Sequence, residues 1–131
     1  MVNDDAVKEV VGKWLRIAHR DLVTARQGMK GDVVITETIC YHCQQAAEKA
    51  LKAFLVKHQV EFPKTHNLMV LINLCSDVDA DFHKLDNADN LTDYAVEIRY
   101  PDDWYEPSLD DAKEAIRLAE QVYGFVEERV K

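Results

Sequence analysis

Between Ile39 and Leu55 the chain places apolar or small residues at Ile39, Cys43, Ala46, Ala47, Ala50, Leu51, Phe54 and Leu55, with polar residues between them. Recurrence every three to four positions lines one side of an α-helix, whereas one side of a strand needs a period of two. The alanines at 46, 47, 50 and 53 are strong helix formers and let a neighbouring helix approach closely. The whole chain has only four Gly and three Pro in 131 residues, so it offers few natural breaks. Long helices are the expected outcome.

The same period extends to both sides. Residues from about Asp5 to Met29 repeat Val7, Val10/Val11, Trp14, Leu15, Ala18, Leu22, Ala25 and Met29, with Asn3, Asp4 and Asp5 as cap candidates and a stop at Gly28-Met-Lys-Gly31. The second helix is expected to start between Asp32 and Glu37 and to run to about His58, ahead of the break at Pro63. Thr65 is the expected cap of a shorter helix, nearly apolar all round, over Leu68 to Cys75. From Phe82 to Arg99 the pattern is weaker, with Phe82, Leu85, Leu91, Tyr94, Ala95 and Ile98 facing inward and a kink near Asp86–Asn90. A last helix follows Ser108, which with Asp111 resembles a capping box, and carries Leu109, Ala112, Ala115, Ile116, Ala119, Val122, Val126 and Val130. No segment reads as a strand. The expectation is all-α: one domain over residues 1–131, an antiparallel up-and-down bundle of four to five helices.

Composition narrows the function classes. Net charge is -8, with 24 acidic against 16 basic residues, which opposes non-specific binding to nucleic acid and leaves only a local basic cleft for such a role. The polar, acidic start lacks a secretory pattern, and no apolar run approaches the ~20 residues that span a bilayer. Three cysteines, an odd number, read as reduced thiols. A cytoplasmic protein that uses no membrane is expected.

Four groups of residues are candidates for chemistry. Cys40-Tyr-His-Cys43 suggests a metal, but no second ligand pair answers it, and a buried thiol is an ordinary core residue; no metal and no cofactor are expected. Gln45, Lys49 and Lys52, spaced by four and three, project from one side of the second helix. They read either as a solvated face, with Glu48 and Lys52 paired at i,i+4, or as a binding row with Gln44. Pro63-Lys-Thr-His66-Asn67 puts His66 near a helix start, where it can orient an anion or serve as a turn residue. Arg99-Tyr100-Pro101-Asp102 sets a fork-shaped cation beside a rigid loop, suited to phosphate or carboxylate, or simply a helix end neutralised by Asp102.

Together, Trp14 with Asp21-Leu22 and Ala25, Gln44-Gln45-Ala-Ala-Glu48-Lys49-Ala-Leu-Lys52-Ala, Thr65-His66-Asn67-Leu68, and Tyr94 with Arg99-Tyr100-Pro101-Asp102 resemble the HEPN domain family. They occur in that family's order and cover the chain from about Trp14 to Val126. The resemblance implies a helical bundle, usually a homodimer, with polar motif residues around a cleft. It also implies a minimal nucleotidyltransferase as a frequent partner, in toxin–antitoxin or modification pairs. Many members are metal-independent ribonucleases that use an Arg and a His separated by four to six residues.

This chain departs from that ribonuclease pattern. Five to seven positions beyond Arg99 stand Trp104, Tyr105 and Glu106, and no other arginine has a histidine at the required distance. Such an enzyme needs an acid/base group working near neutrality, which imidazole suits best. The expected function is therefore a HEPN accessory or binding protein that partners a nucleotidyltransferase. It would bind a nucleotide-like, RNA or other anionic ligand in a hollow formed by Gln45, Lys49, Lys52, His66, Arg99, Tyr100 and Asp102, with no catalytic residue assigned. The alternative is a metal-independent ribonuclease toxin in which His66 works with Arg99.

Overall fold

A computed structural model describes residues 3–96 and 101–131, with the backbone only for Asp103. Helix α1 runs Asp4–Gly28, α2 Thr36–Lys57, α3 Leu68–Val78 and α4 Leu109–Val130. A long 3-10 helix, Ala80–Tyr94, joins α3 towards α4, and Pro101–Asp103 forms one further 3-10 turn. No strand occurs among the described residues. This is the all-α bundle expected from the periodicity.

Helix α2 is the centre of the bundle. It packs most extensively on α1 and α4 and also touches α3 and the 3-10 helix, whereas α1 and α4 meet each other far less than either meets α2. That position explains the alanines: Ala46, Ala47, Ala50 and Ala53 are all fully buried, so four elements can crowd one backbone. The core gathers Leu22, Ile39, Leu51, Phe54, Leu55, Leu71, Phe82, Leu85 and Val122 around it. Phe82 packs on Phe54 and Phe125, with ring centroids 4.3 and 4.9 Å apart.

Side chains close the helix ends. Asn3 caps α1, accepting from the Asp5 amide at 2.7 Å. Ser108 and Asp111 exchange reciprocal bonds at the start of α4, completing the capping box. The first residue of α2 is fixed from outside, since the Thr36 hydroxyl donates to the Pro107 carbonyl at 2.7 Å. At α3 the cap is Asn67 and not Thr65: Asn67 accepts from the Val70 amide, while Thr65 Oγ1 accepts from the Asn67 amide.

The segment after α3 differs from the expected kinked α-helix. Its buried residues are Phe82, Leu85, Ala88 and Leu91, and Tyr94 packs beside them. An apolar residue at every third position matches the 3.0 residues per turn of a 3-10 helix, in which i and i+3 eclipse. Fifteen residues is long for this helix type; the unbroken period of three keeps one edge continuously on the core. Of the Val10/Val11 alternative the fold buries Val11 and leaves Val10 at 41% exposure, and Leu109, expected to face inward, lies at the surface with 48% exposure. Ile98 falls outside the described residues.

Candidate functional site

The polar row of α2 is enclosed, not solvated. Gln44, Gln45, Glu48 and Lys52 are all buried, and Lys49 is half-buried. Polar groups removed from water need partners, and here each has one. Gln45 Nε2 donates to Gln44 Oε1 at 2.7 Å; Gln44 Nε2 donates to the His66 carbonyl at 2.9 Å and to Glu48 Oε1 at 3.2 Å. Lys52 Nζ donates to Glu48 Oε2 at 2.9 Å, the i,i+4 pair expected from the sequence. His66 Nδ1 lies 2.7 Å from Glu48 Oε1. The α2 row is thereby joined to the loop before α3.

A second carboxylate organises the next turn. Asp21 of α1 is buried and bonds on both oxygens, Oδ1 to His42 Nδ1 and Oδ2 to Lys49 Nζ, each at 2.8 Å. The two clusters repeat one design: a carboxylate spans an imidazole Nδ1 and an ammonium. No buried side-chain nitrogen or oxygen among the buried and half-buried described residues lacks a partner. The Nε2 atoms of His42 and His66 bond to no other described residue. The His66 side chain is 65% exposed, that of Glu48 only 5%.

Burial alone pushes the Glu48 carboxyl upward. The hydrogen bonds from Lys52, His66 and Gln44 and the charge of Lys52 outweigh that, and Glu48 titrates below the ordinary glutamate value. Lys52 is further enclosed by aromatic rings, with Nζ 5.7 Å from the Trp14 centroid and 5.6 Å from that of Phe62. With both imidazoles neutral, Asp21 balances Lys49 and Glu48 balances Lys52. The row carries no surplus charge.

The start of α3 is not an open anion site. The Leu68 amide donates to Thr92 Oγ1, that of Met69 to Asp89 Oδ1 and that of Val70 to Asn67 Oδ1, so the end of the 3-10 helix takes two of these N–H groups and the Asn67 cap a third. His66 stands before this helix, outside its first turn.

Of the expected site residues, the fold joins Gln45, Lys52 and His66 through Gln44 and Glu48, and places Lys49 on the adjoining Asp21 cluster. Arg99 and Tyr100 lie outside the described residues. Asp102 is exposed in the Pro101–Asp103 turn and bonds to none of this network. Tyr94 and Tyr105, from the same stretch of sequence, line a separate hollow of about 320 Å3 with Asn90 and Asp93. Burial pushes the Tyr94 phenol up to about 12, and Tyr105 donates to Asp111 Oδ2 at 3.1 Å. Asp21 and His42 were not singled out as site residues by sequence reasoning. The available signal was Asp21 itself, an acid directly beside the buried stripe residue Leu22.

The cysteines belong to the core. Cys40, Cys43 and Cys75 are buried free thiols, and burial pushes Cys40 up to about 11, Cys75 up to about 12 and Cys43 higher still. Among the described residues no group of three or more His, Cys, Asp or Glu side chains is placed to hold a metal ion. No helix among them is long and apolar enough to cross a membrane.

An all-helical bundle whose central helix carries a buried, fully bonded polar row defines the class of protein. The chain belongs to the HEPN domain family, whose model matches residues 11–129. It is similar to the crystal structure of ST0689, an archaeal HEPN homologue, with a TM-score of 0.69 and 30% identity over 92% of this chain and 98% of that one. It is also similar to TT1696 from Thermus thermophilus, with a TM-score of 0.67 and 31% identity over 90% of this chain and 96% of that one. No curated protein matches the chain.

Proposed function

We propose that this HEPN protein is an accessory, non-catalytic subunit that binds a nucleotide-like or other anionic ligand at His66 and partners a minimal nucleotidyltransferase, as in toxin–antitoxin pairs. The observation that carries the ligand reading is His66 itself, a 65% exposed imidazole anchored through Nδ1 on buried Glu48, with Nε2 bonded to no other described residue. Because Lys49 and Lys52 are already matched by carboxylates, the row attracts an anion only when an imidazole gains a proton. Ligand binding is then coupled to proton uptake. Arg99, Tyr100 and Asp102 enter this reading through the family resemblance. So do the partner and a homodimeric state.

The test is a titration of AMP, ADP and pyrophosphate against the full chain, read by melting temperature and by calorimetry in two buffers of different ionisation enthalpy. A rise in melting temperature, with proton uptake that disappears in His66→Ala, supports the reading. Absence of a shift with all three probes refutes ligand binding at this site.

The same Glu48–His66 geometry favours a second reading, a metal-independent ribonuclease. A carboxylate that fixes the imidazole through Nδ1 leaves Nε2 to accept a proton from a ribose hydroxyl. RNA cleavage in the presence of a chelator, abolished in His66→Ala, would select this reading over the first.

A further inference from the structure

We propose that the outward face of α1, from Val10 to Arg20, is a docking surface for an acidic amphipathic helix of a partner protein. The argument begins with the arginines. Arg26, Arg117 and Arg129 each hold a carboxylate, on Glu120, Glu114 and Asp79 respectively. Arg16 and Arg20 are both exposed, and neither has an ion-pair partner among the described residues. They stand four residues apart, one turn or ~6 Å along the helix, and so point the same way. In a chain of net charge -8 an unmatched arginine pair is a local exception.

Apolar groups flank that face. Val10 and Ile17, one heptad apart, are 41% and 44% exposed on the flank of α1 that lies between its core residues Val11, Ala18 and Leu22 and its two arginines. Val10 also borders a cleft of about 400 Å3 whose far wall is Val56 and Val60, at the end of α2. Its lining is mostly aliphatic, so it accepts an aliphatic or aromatic side chain. The surface thus offers an apolar socket, then an apolar ridge, with two unmatched cations alongside.

A helix with apolar residues at heptad spacing and Glu or Asp flanking them is complementary to both features. Arginine is also among the residues enriched where protein interfaces derive most of their energy. A phosphate backbone fits less well. Two arginines neutralise few phosphates, the overall charge repels a polyanion, and the valines and Ile17 contribute nothing to such a contact. The inference stands apart from the His66 reading, since it uses none of those residues.

Its test uses synthetic helical peptides of ~20 residues, long enough for about three heptads, labelled for fluorescence anisotropy against the full chain. One carries Leu at heptad positions flanked by Glu, a second has Gln in place of every Glu, and a third is a scramble of the first. The acidic amphipathic peptide is expected to bind at least about tenfold more tightly than the other two. Its binding should weaken with salt, fall about tenfold in Arg16→Glu/Arg20→Glu, and weaken also in Val10→Ser. All these positions are exposed, so the variants should melt with the parent. Equal binding of the Glu and Gln peptides, or no binding of any peptide, overturns the proposal. Tighter binding of a single-stranded RNA, or self-association that the double arginine variant abolishes, would give this face to a different occupant and overturns it equally.

Discussion

Glu48 and His66 stand eighteen positions apart in the chain, yet Oε1 of one lies 2.7 Å from Nδ1 of the other. The contact joins the central helix to the loop before α3, and Lys52 completes it from one turn further along α2. A carboxylate that is only 5% exposed is stable here because three side chains bond to it.

Removing that charge strands Lys52. Glu48→Gln should destabilise the fold by about 3–5 kcal/mol in urea unfolding, the usual cost of breaking a buried pair from one side. Replacing both partners, Glu48→Met with Lys52→Met, should recover most of the loss, because neither charge then remains to be solvated. Equal destabilisation by the single and the double variant would contradict this account.

Acid should weaken the fold through the same group. Glu48 is held below its ordinary value in the folded chain, so its contribution is complete above the unfolded value of about 4.5 and is lost as pH falls through the lower folded value. Asp79, Asp111 and Glu114 are also lowered: Asp79 and Asp111 chiefly by backbone hydrogen bonds, Glu114 by its bond with Arg117. Melting temperature followed from pH 6 to 3 should therefore decline more shallowly in Glu48→Gln than in the parent without becoming flat. Parallel curves would remove Glu48 from the explanation.

Close packing at the α1–α2 corner should not tolerate a methyl group. A Cβ on Gly28 would meet Ile39 Cγ1 at 2.8 Å and Cδ1 at 3.3 Å, and Ile39 is buried. Gly28→Ala gains roughly 1 kcal/mol of helix propensity but overpacks a site where such additions cost ~1–3 kcal/mol. A net loss of about 1 kcal/mol is expected, whereas Gly124→Ala, with nothing near its Cβ, should stabilise. Stabilisation by both substitutions would refute the crowding argument.

The thiols should be silent until the chain unfolds. Burial raises Cys40, Cys43 and Cys75 well above an ordinary thiol, so little thiolate forms at pH 8. A disulfide reagent should titrate no cysteine in the native protein and all three in denaturant. Rapid labelling of any one in the native state would show that this part of the core opens.

Much of the architecture was legible in the chain, and the reasons are local. The alanine and leucine period of α2, the Ser108–Asp111 box and the glycines at and just beyond the end of α1 each act within a turn or two, where spacing and cap chemistry decide the outcome. The 3-10 helix was not read from the sequence, because a search tuned to 3.6 residues takes the recurrence of Phe82, Leu85, Ala88, Leu91 and Tyr94 at every third position for a weak α-helix. The Glu48–Lys52 pair needed only helical spacing.

Residue order alone was enough to mark the helical segments, the apolar stripe of α2 and its row of amides, acids and lysines. The burial of that row, the hold of Asp21 on His42 and Lys49, and that of Glu48 on His66 come from packing between elements. Those contacts join residues 18 to 28 positions apart, and no rule of spacing reaches that far. They exist because apolar packing around α2 excludes water, and a charge left without water must find its partner in whatever helix or loop lies beside it.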